Sequence, residues 1–250
     1  ALPDIDFGIV PLHVIVGEND YVDDDKINLT AMQEDLSSYK GKTSTSSPSP
    51  HEWENAFGDA DVVFCITITS TLSGTYNSAV IAKDIYEQNH TGRKVYVLDS
   101  LSTGPEIALF IEKIAELIKA GFAPDDIYKT LLEYKDKTHL YFSLASLNNF
   151  AKNGRISPVI AAGIGLLGVR VVGKASEEGT LLPLDKCRGE KRALKKLIEH
   201  LKECGYTDGK IIIAHNNNEA GALELKKLIE NAFGIFNGKI QKTRALCSYY

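Results

Sequence analysis

The feature that most constrains the fold is a continuous apolar run, Asp-Val-Val-Phe-Cys-Ile-Thr-Ile, at residues 61–68. Its β-branched and aromatic side chains do not alternate with polar ones, which is typical of a strand buried on both faces of a sheet. Similar strand-like segments lie before it at residues 9–16 and after it at residues 94–98. Because helical segments separate these strands, the first half of the chain predicts a parallel α/β sheet.

Helical spacing of apolar residues predicts helices over residues 72–88 and 105–120, and a third one from Pro124. The second helix ends at Gly121, a residue that commonly stops helices. A further start signature lies at Ser49-Pro50, where Glu52 stands three residues after Ser49 and predicts a capping box.

The pattern changes near residues 137–139, after which hairpin signals replace regular crossovers. We therefore divide the chain into an α/β parallel-sheet domain at 1–137 and a second α/β domain with a mixed, largely antiparallel sheet at 138–250. In the second domain, strands at 169–175 and 180–186 flank Glu177-Glu178-Gly179 and predict an antiparallel hairpin. The other elements predicted there are strands at 140–144, 210–214 and 239–246, and helices at 146–153, 190–202 and 219–233.

Composition excludes several classes of protein. The net charge of −5 and the pI near 5.7 provide no broad basic field, so nucleic acid is not an expected partner. The longest apolar stretch, at residues 159–169, is much shorter than the roughly 20 residues of a membrane span. No secretory signal begins the sequence, so the cytoplasm is the expected location. The four cysteines and six histidines are widely scattered, so no metal site and no cofactor are expected.

Two glycine-rich motifs resemble nucleotide-binding signatures but stand in the wrong context. The GxGxxG motif at residues 163–168 follows an apolar helical segment and precedes a strand, which reverses the order that dinucleotide binding needs. The segment from Gly168 to Lys174 is similar to a phosphate-binding loop, but Ala175 replaces the hydroxyl that would hold magnesium. Both motifs are interpreted as structural.

The main functional signal is a repetition of Ser and Thr where helices begin. Residues 43–50, 67–75 and 99–105 form the first, second and third hydroxyl clusters. A single hydroxyl there is explained by helix capping, but each cluster holds several. Turns that leave parallel strands gather at one edge of a sheet, where helix starts suit an anionic head group. No carboxylate dyad, Ser-His pair or reactive Cys accompanies the clusters, which favours binding over catalysis.

Six short segments together resemble the DegV family, in its order and at about its spacing, across essentially the whole chain. They are Thr45-Ser46-Ser47-Pro48-Ser49-Pro50, Leu72-Ser73-Gly74-Thr75-Tyr76, Leu98-Asp99-Ser100, Asn153-Gly154-Arg155-Ile156, Lys186-Cys187-Arg188-Gly189 and Ile213-Ala214-His215.

The resemblance implies a Rossmann-like parallel-sheet domain, a second α/β domain and non-enzymatic binding of a long-chain fatty acid such as palmitate. The family holds the carboxylate at the domain junction and the tail in an apolar tunnel. Some members present the acid to a separate fatty acid kinase. Carried over by motif, the residues that would hold the carboxylate are Thr45, Ser46, Ser73 and Gly74.

For the tunnel wall, the candidates are Ile107, Phe110, Ile114 and Ile164, although core packing would explain each of them individually. Burying about 14 methylenes at ~0.8 kcal/mol each gives roughly 11 kcal/mol of gross transfer energy. Several kcal/mol of immobilisation cost oppose it. Submicromolar binding is therefore attainable from the tail alone.

Arg155 and Arg188 are basic positions of the family's second domain, and ligand contact, a salt bridge or a partner-docking surface would explain them. Family members usually begin with a strand ending in Asp-Ser and end with a glycine-rich loop that carries a histidine. Neither feature is present, so we expect a chain that is shortened at both ends.

Two alternative functions stand beside fatty acid binding: a small-molecule kinase or transferase that uses the same loops for phosphate, and hydrolysis by Ser73 with His215.

Overall fold

The computed structural model describes residues 5–156 and 168–250 of the chain. The described residues form two compact units. Unit 1 extends to Thr138 and also contains Glu177–Thr180, and unit 2 contains the rest from His139 onward. Parallel and antiparallel sheets are both present, which confirms the α/β fold class.

Unit 1 is built around two parallel strands that are covered by helices on both faces. Its elements are β1 (His13–Val16), β2 (Asn19–Val22), α1 (Leu29–Ser38), β3 (Thr43–Ser46), α2 (Pro50–Phe57), β4 (Val62–Thr67), α3 (Thr75–Asn89), β5 (Lys94–Asp99), α4 (Pro105–Lys119) and α5 (Pro124–Lys135). Strands β4 and β5 pair in parallel from Val62 opposite Lys94 to Thr67 opposite Asp99.

The two faces of the β4–β5 pair bury different helices, because successive side chains of a strand point to opposite sides. Cys65 and Val97 pack with α2 and α3, where Trp53 and Tyr86 are the largest side chains of the cluster. Leu98 faces the other way and packs with the apolar sides of α4 and α5. Burial on both faces confirms the interpretation of residues 61–68.

The prediction for residues 9–16 was wrong in length and direction. The strand is only His13–Val16, and it pairs antiparallel with both β2 and β3. Neither β2, β3 nor α1 was expected from the sequence. Thr43–Ser46 has no apolar residue and so lacks the alternation that marks a half-buried strand. It is a strand because β1 offers it an edge to pair with.

The start of α2 follows the predicted capping box. Ser49 N–H donates to Glu52 Oε2 at 2.8 Å, and Glu52 N–H donates to Ser49 Oγ at 3.3 Å. Pro50 occupies the first helical position. The box fixes the end of the first hydroxyl cluster, because Ser49 is committed to the helix start.

Unit 2 contains an antiparallel sheet and a separate parallel pair. Its elements are β6 (Tyr141–Leu144), α6 (Asn148–Lys152), β7 (Val169–Ala175), β8 (Leu181–Arg188), α7 (Glu190–Glu203), β9 (Ile211–His215), α8 (Glu219–Phe233), β10 (Gly238–Lys242) and α9 (Ala245–Tyr249). The sheet has the order β6-β7-β8, which confirms the predicted hairpin, and β9 pairs in parallel with β10. Strand β7 also supports the structural interpretation of the Gly168 to Lys174 motif.

The predicted strand at residues 239–246 was too long. Strand β10 ends at Lys242, and Thr243 N–H donates to the carbonyl of His215 at 2.8 Å just beyond it. The next residues form α9, in which Ala245 and Tyr249 are buried at the i, i+4 spacing of a helix face.

A histidine in unit 2 lies between two carboxylates. His200 Nε2 is 2.6 Å from Asp185 Oδ2, and His200 Nδ1 is 2.8 Å from Glu203 Oε2. Its ring stacks on Tyr141 with centroids 6.1 Å apart. Burial lowers the pKa of His200, but the hydrogen bonds with both carboxylates outweigh burial and leave its pKa above the ordinary value.

This arrangement predicts a stability that depends on pH. The folded-state pKa is raised, so the His200 contribution is full below the ordinary histidine value of about 6.5 and is lost as pH rises through the folded pKa. In urea unfolding followed by circular dichroism, wild type should lose free energy of unfolding over that window, and His200→Gln should lose less. Equal pH dependence in the two proteins would contradict this assignment.

Candidate functional site

The candidate site lies in unit 1, at the edge where β4 and β5 end. The α3 entry loop (residues 68–74) follows β4, and the α4 entry loop (residues 100–104) follows β5. Thr69 N–H donates to the carbonyl of Ser102 at 2.8 Å, and Ser100 N–H donates to the carbonyl of Thr67 at 3.3 Å. The structure therefore brings the second and third hydroxyl clusters together.

Internal carboxylates already occupy donors of the second and third clusters. The Asp99 carboxylate accepts the Ser70 N–H at 3.2 Å and the Leu101 N–H at 3.1 Å. The Ser102 hydroxyl donates to Glu106, whose side chain is buried in the first turn of α4. Because the Glu106 carboxyl lies in its first turn, the start of α4 is a poor position for an anionic ligand.

The start of α3 has the opposite character. Gly74 is its N-cap and supplies no side chain, and the first turn contains no acidic residue. Ser73 is half-buried, with its Oγ 2.7 Å from Thr75 Oγ1 and 3.3 Å from the Thr75 nitrogen that donates to it. A helix start has N–H groups without intrahelical partners and carries partial positive charge. This is the position at the edge that suits an anion.

The structure separates Thr45 and Ser46, which were predicted to act together. Thr45 is paired with Val14 and Ser46 with His13 across the antiparallel β1–β3 ladder. Directly opposed residues share a face, and Val14 is fully buried. The half-buried Thr45 therefore faces inward, whereas Ser46 lies on the other face and is exposed.

Ser47 is a candidate that the sequence interpretation missed. The half-buried Ser47 Oγ lies 3.2 Å from the point where a Cβ on Gly74 would lie. The next residue, Pro48, is buried, and its carbonyl accepts the hydroxyl of Ser78 in α3 at 2.6 Å. This contact seats the end of the first cluster on the first turn of α3, so Ser47, Ser73 and Gly74 are neighbours.

Two of the tunnel candidates lie in the core of unit 1. Phe110 and Ile114 pack in the cluster that joins β5, α4 and α5, and Phe110 meets Tyr134 edge to face at 5.8 Å between centroids. Ile107 is half-buried one turn closer to the start of α4. Ile164 and the apolar segment around it lie outside the described residues.

The remaining polar candidates lie in unit 2. The Arg155 guanidinium donates to the carbonyl of Asn153 at 2.6 Å. Arg188 is the exposed last residue of β8. His215 ends β9, and its Nδ1 accepts the N–H of Asn218 at 3.3 Å. The contacts of Arg155 and His215 therefore join each side chain to a nearby residue of its own segment.

Within residues 5–156 and 168–250, no group of three His, Cys, Asp or Glu side chains is arranged to hold a metal ion. No helix of this same part has the length and apolar character needed to cross a membrane.

Burial raises the pKa of the Cys65 thiol to about 12, which makes it a poor nucleophile.

Comparison with known proteins identifies the family. The family model described as "Uncharacterised protein, DegV family" matches residues 2–248. A DegV domain-containing protein of Streptococcus pneumoniae is 40% identical over 244 residues, which are 98% of this chain and 87% of that protein. The chain belongs to the DegV family.

Two solved structures are similar over nearly the whole chain. A DegV family protein from Eubacterium eligens, loaded with heptadecanoic acid, has a TM-score of 0.97 at 40% identity and covers 100% of this chain and 91% of its own. The Streptococcus pneumoniae Fatty Acid Kinase (Fak) B3 protein, loaded with linoleic acid, has a TM-score of 0.94 at 40% identity. The match covers 96% of this chain and 86% of that protein.

Proposed function

We propose that this protein binds one long-chain fatty acid, such as palmitate, without changing it chemically. The carboxylate lies at the start of α3, between Ser47 and Ser73. The observation that carries this proposal is the contrast between two neighbouring helix starts. The first turn of α4 contains the buried Glu106, whereas the first turn of α3 has no acidic residue. A helix start that carries no negative charge of its own suits a carboxylate that must be desolvated.

The acyl tail supplies most of the affinity. Burial of its methylenes is worth roughly 0.8 kcal/mol each, which exceeds the contribution of a few hydrogen bonds to the head group. Half-buried Ile107 is proposed to line its path, whereas Phe110 and Ile114 belong to the core of unit 1. The long-chain acids in the two similar structures support a ligand of this class.

We also propose that the bound acid is presented to a separate kinase. The similar Streptococcus pneumoniae protein is named as a fatty acid kinase B protein, which supports this role. Gly74 is exposed, so an acid held at the start of α3 keeps its carboxylate end within reach of a partner. The family supports binding over catalysis, and the Ser73 hydroxyl lies 2.7 Å from Thr75 Oγ1.

The proposal is tested with delipidated protein and palmitate in a calorimetric titration. We expect submicromolar binding by wild type, and a loss of roughly 10- to 100-fold on Ser73→Ala, since a hydrogen bond to a charged group contributes about 1.5–3 kcal/mol. Absence of palmitate binding by wild type, together with no fatty acid released from the purified protein, would overturn the proposal.

A matched pair of variants tests which side of the chain at the end of β3 faces the ligand. Ser47→Ala should weaken palmitate binding, because Ser47 borders Gly74. Ser46→Ala removes the same hydroxyl one residue earlier, on the exposed opposite face, and should leave affinity unchanged. The reverse pattern would contradict the placement of the carboxylate beside Ser47.

A further inference from the structure

The tip segment (Glu177–Thr180), which is part of unit 1, contacts both entry loops. Thr71 Oγ1 donates to the carbonyl of Gly179 at 2.8 Å. A Cβ on Gly179 would lie 2.1 Å from Thr69 Oγ1 and 3.0 Å from Leu101 Cα. Gly179 also has φ +76°, a conformation that side chains disfavour. Both its backbone and its close approach therefore require glycine.

The contact falls where the loops are already constrained. Leu101 has φ +52°, which is rare for a residue other than glycine. Such a conformation persists only where surrounding contacts enforce it. The Leu101 N–H is bonded to Asp99, and Thr69 Oγ1 lies 2.9 Å from Thr71 Oγ1. The tip segment thus packs against both entry loops and helps to hold them in this conformation.

We infer that Gly179 is a positioning residue for the candidate site. By allowing the tip segment to hold Thr69 and Thr71, it fixes the α3 entry loop, and Thr71 is only two residues before Ser73. The donors of Ser73 and Gly74 are thereby held in place before a ligand arrives. The part of this inference that concerns the ligand rests on the proposed function, whereas the part that concerns the loop does not.

The loop is tested by amide hydrogen exchange in Gly179→Ala. Gly121→Ala is the matched control, because Gly121 has φ +77° in the same unit but no atom within 4 Å of its added Cβ. The amides of Thr69 and Leu101 should exchange at least about tenfold faster in Gly179→Ala than in Gly121→Ala. Equal exchange in the two variants would overturn the inference.

A second variant keeps the test decisive if Gly179→Ala does not fold. Thr71→Val deletes the hydroxyl that donates to Gly179, together with its 2.9 Å contact to Thr69 Oγ1, and the position is exposed enough to accept valine. The same two amides should exchange faster in this variant than in wild type. Unchanged protection in folded Thr71→Val would count against a positioning role.

Binding of palmitate and hexadecanol separates head-group positioning from general loosening. The two ligands have equal tails and differ only in the head group. In Gly179→Ala, or in Thr71→Val, palmitate affinity should fall about tenfold and hexadecanol affinity should change less than about twofold. A parallel loss for both ligands would indicate loosening and overturn the inference. Wild type that binds neither ligand would instead overturn the proposed function, so the two failures are distinguishable.

Discussion

Replacement of Gly74 by Asp is expected to weaken palmitate binding by roughly 100-fold or more without destabilising the fold. An aspartate there places a carboxylate next to the position proposed for the ligand's carboxylate. Repulsion between two unit charges about 4 Å apart is about 1 kcal/mol in water and about 4 kcal/mol near a protein surface. A value of about 3 kcal/mol, between these limits, corresponds to a loss of affinity of roughly 100-fold. Gly74 has φ −71°, which any residue can adopt, and a carboxylate at a helix start is favourable.

Gly74→Asn is the matched control for this prediction. Asparagine has nearly the shape of aspartate and meets the same neighbour, Ser47 Oγ at 3.2 Å from the added Cβ, but carries no charge. Calorimetric titration of both variants with palmitate should show a much smaller loss for Gly74→Asn, while thermal unfolding shows both to be folded. Equal losses would mean that space, and not charge, excludes the ligand, and equal retention would remove the carboxylate from the start of α3.

Replacement of Phe110 by Ala should have the largest effect on stability. Phe110 has no solvent exposure, and its ring contacts Tyr134 and packs with Leu98. Truncation of a buried phenylalanine costs about 3–5 kcal/mol, through lost transfer energy and the cavity left behind. Ile107→Ala should cost less, because that side chain is only half-buried.

Chemical unfolding followed by the fluorescence of the single tryptophan, Trp53, measures both changes in unit 1. If Ile107 borders the acyl tail, its truncation should lower palmitate affinity while its effect on the free energy of unfolding stays small. Should Phe110→Ala instead leave stability within about 1 kcal/mol of wild type, its position in the core would be contradicted.

The elements that the sequence predicted well are those whose own residues determine them. The apolar run at residues 61–68 favours a strand covered on both faces whatever its neighbours are, and the Ser49 capping box needs only local atoms. Strand β3 was missed because four hydroxyl residues carry no apolar pattern, and its pairing with β1 is a contact between distant segments. The first two residues of α9 were predicted as the end of the last strand, because Ala245 and Tyr249 become a buried helix face only after β10 has ended.

The candidate site shows the same limit. Ser/Thr clusters at helix starts were recognisable from sequence, and so was the expectation that they meet at one edge. The inward direction of Thr45 could not be recognised from sequence. Alternation places Thr45 inward and Ser46 outward only once β3 is known to be a strand. The role of Asp99 was also hidden, since its two N–H donors come from two different loops.

An NMR titration of ¹⁵N-labelled protein with palmitate carrying ¹³C at its carboxyl locates the bound carboxylate directly. We expect the amides of Gly74 and Thr75 to shift most on binding, and the bound carboxyl to keep the ¹³C shift of an ionised group. Unchanged amides at the start of α3, with the largest shifts at the α4 entry loop or elsewhere, would contradict this expectation.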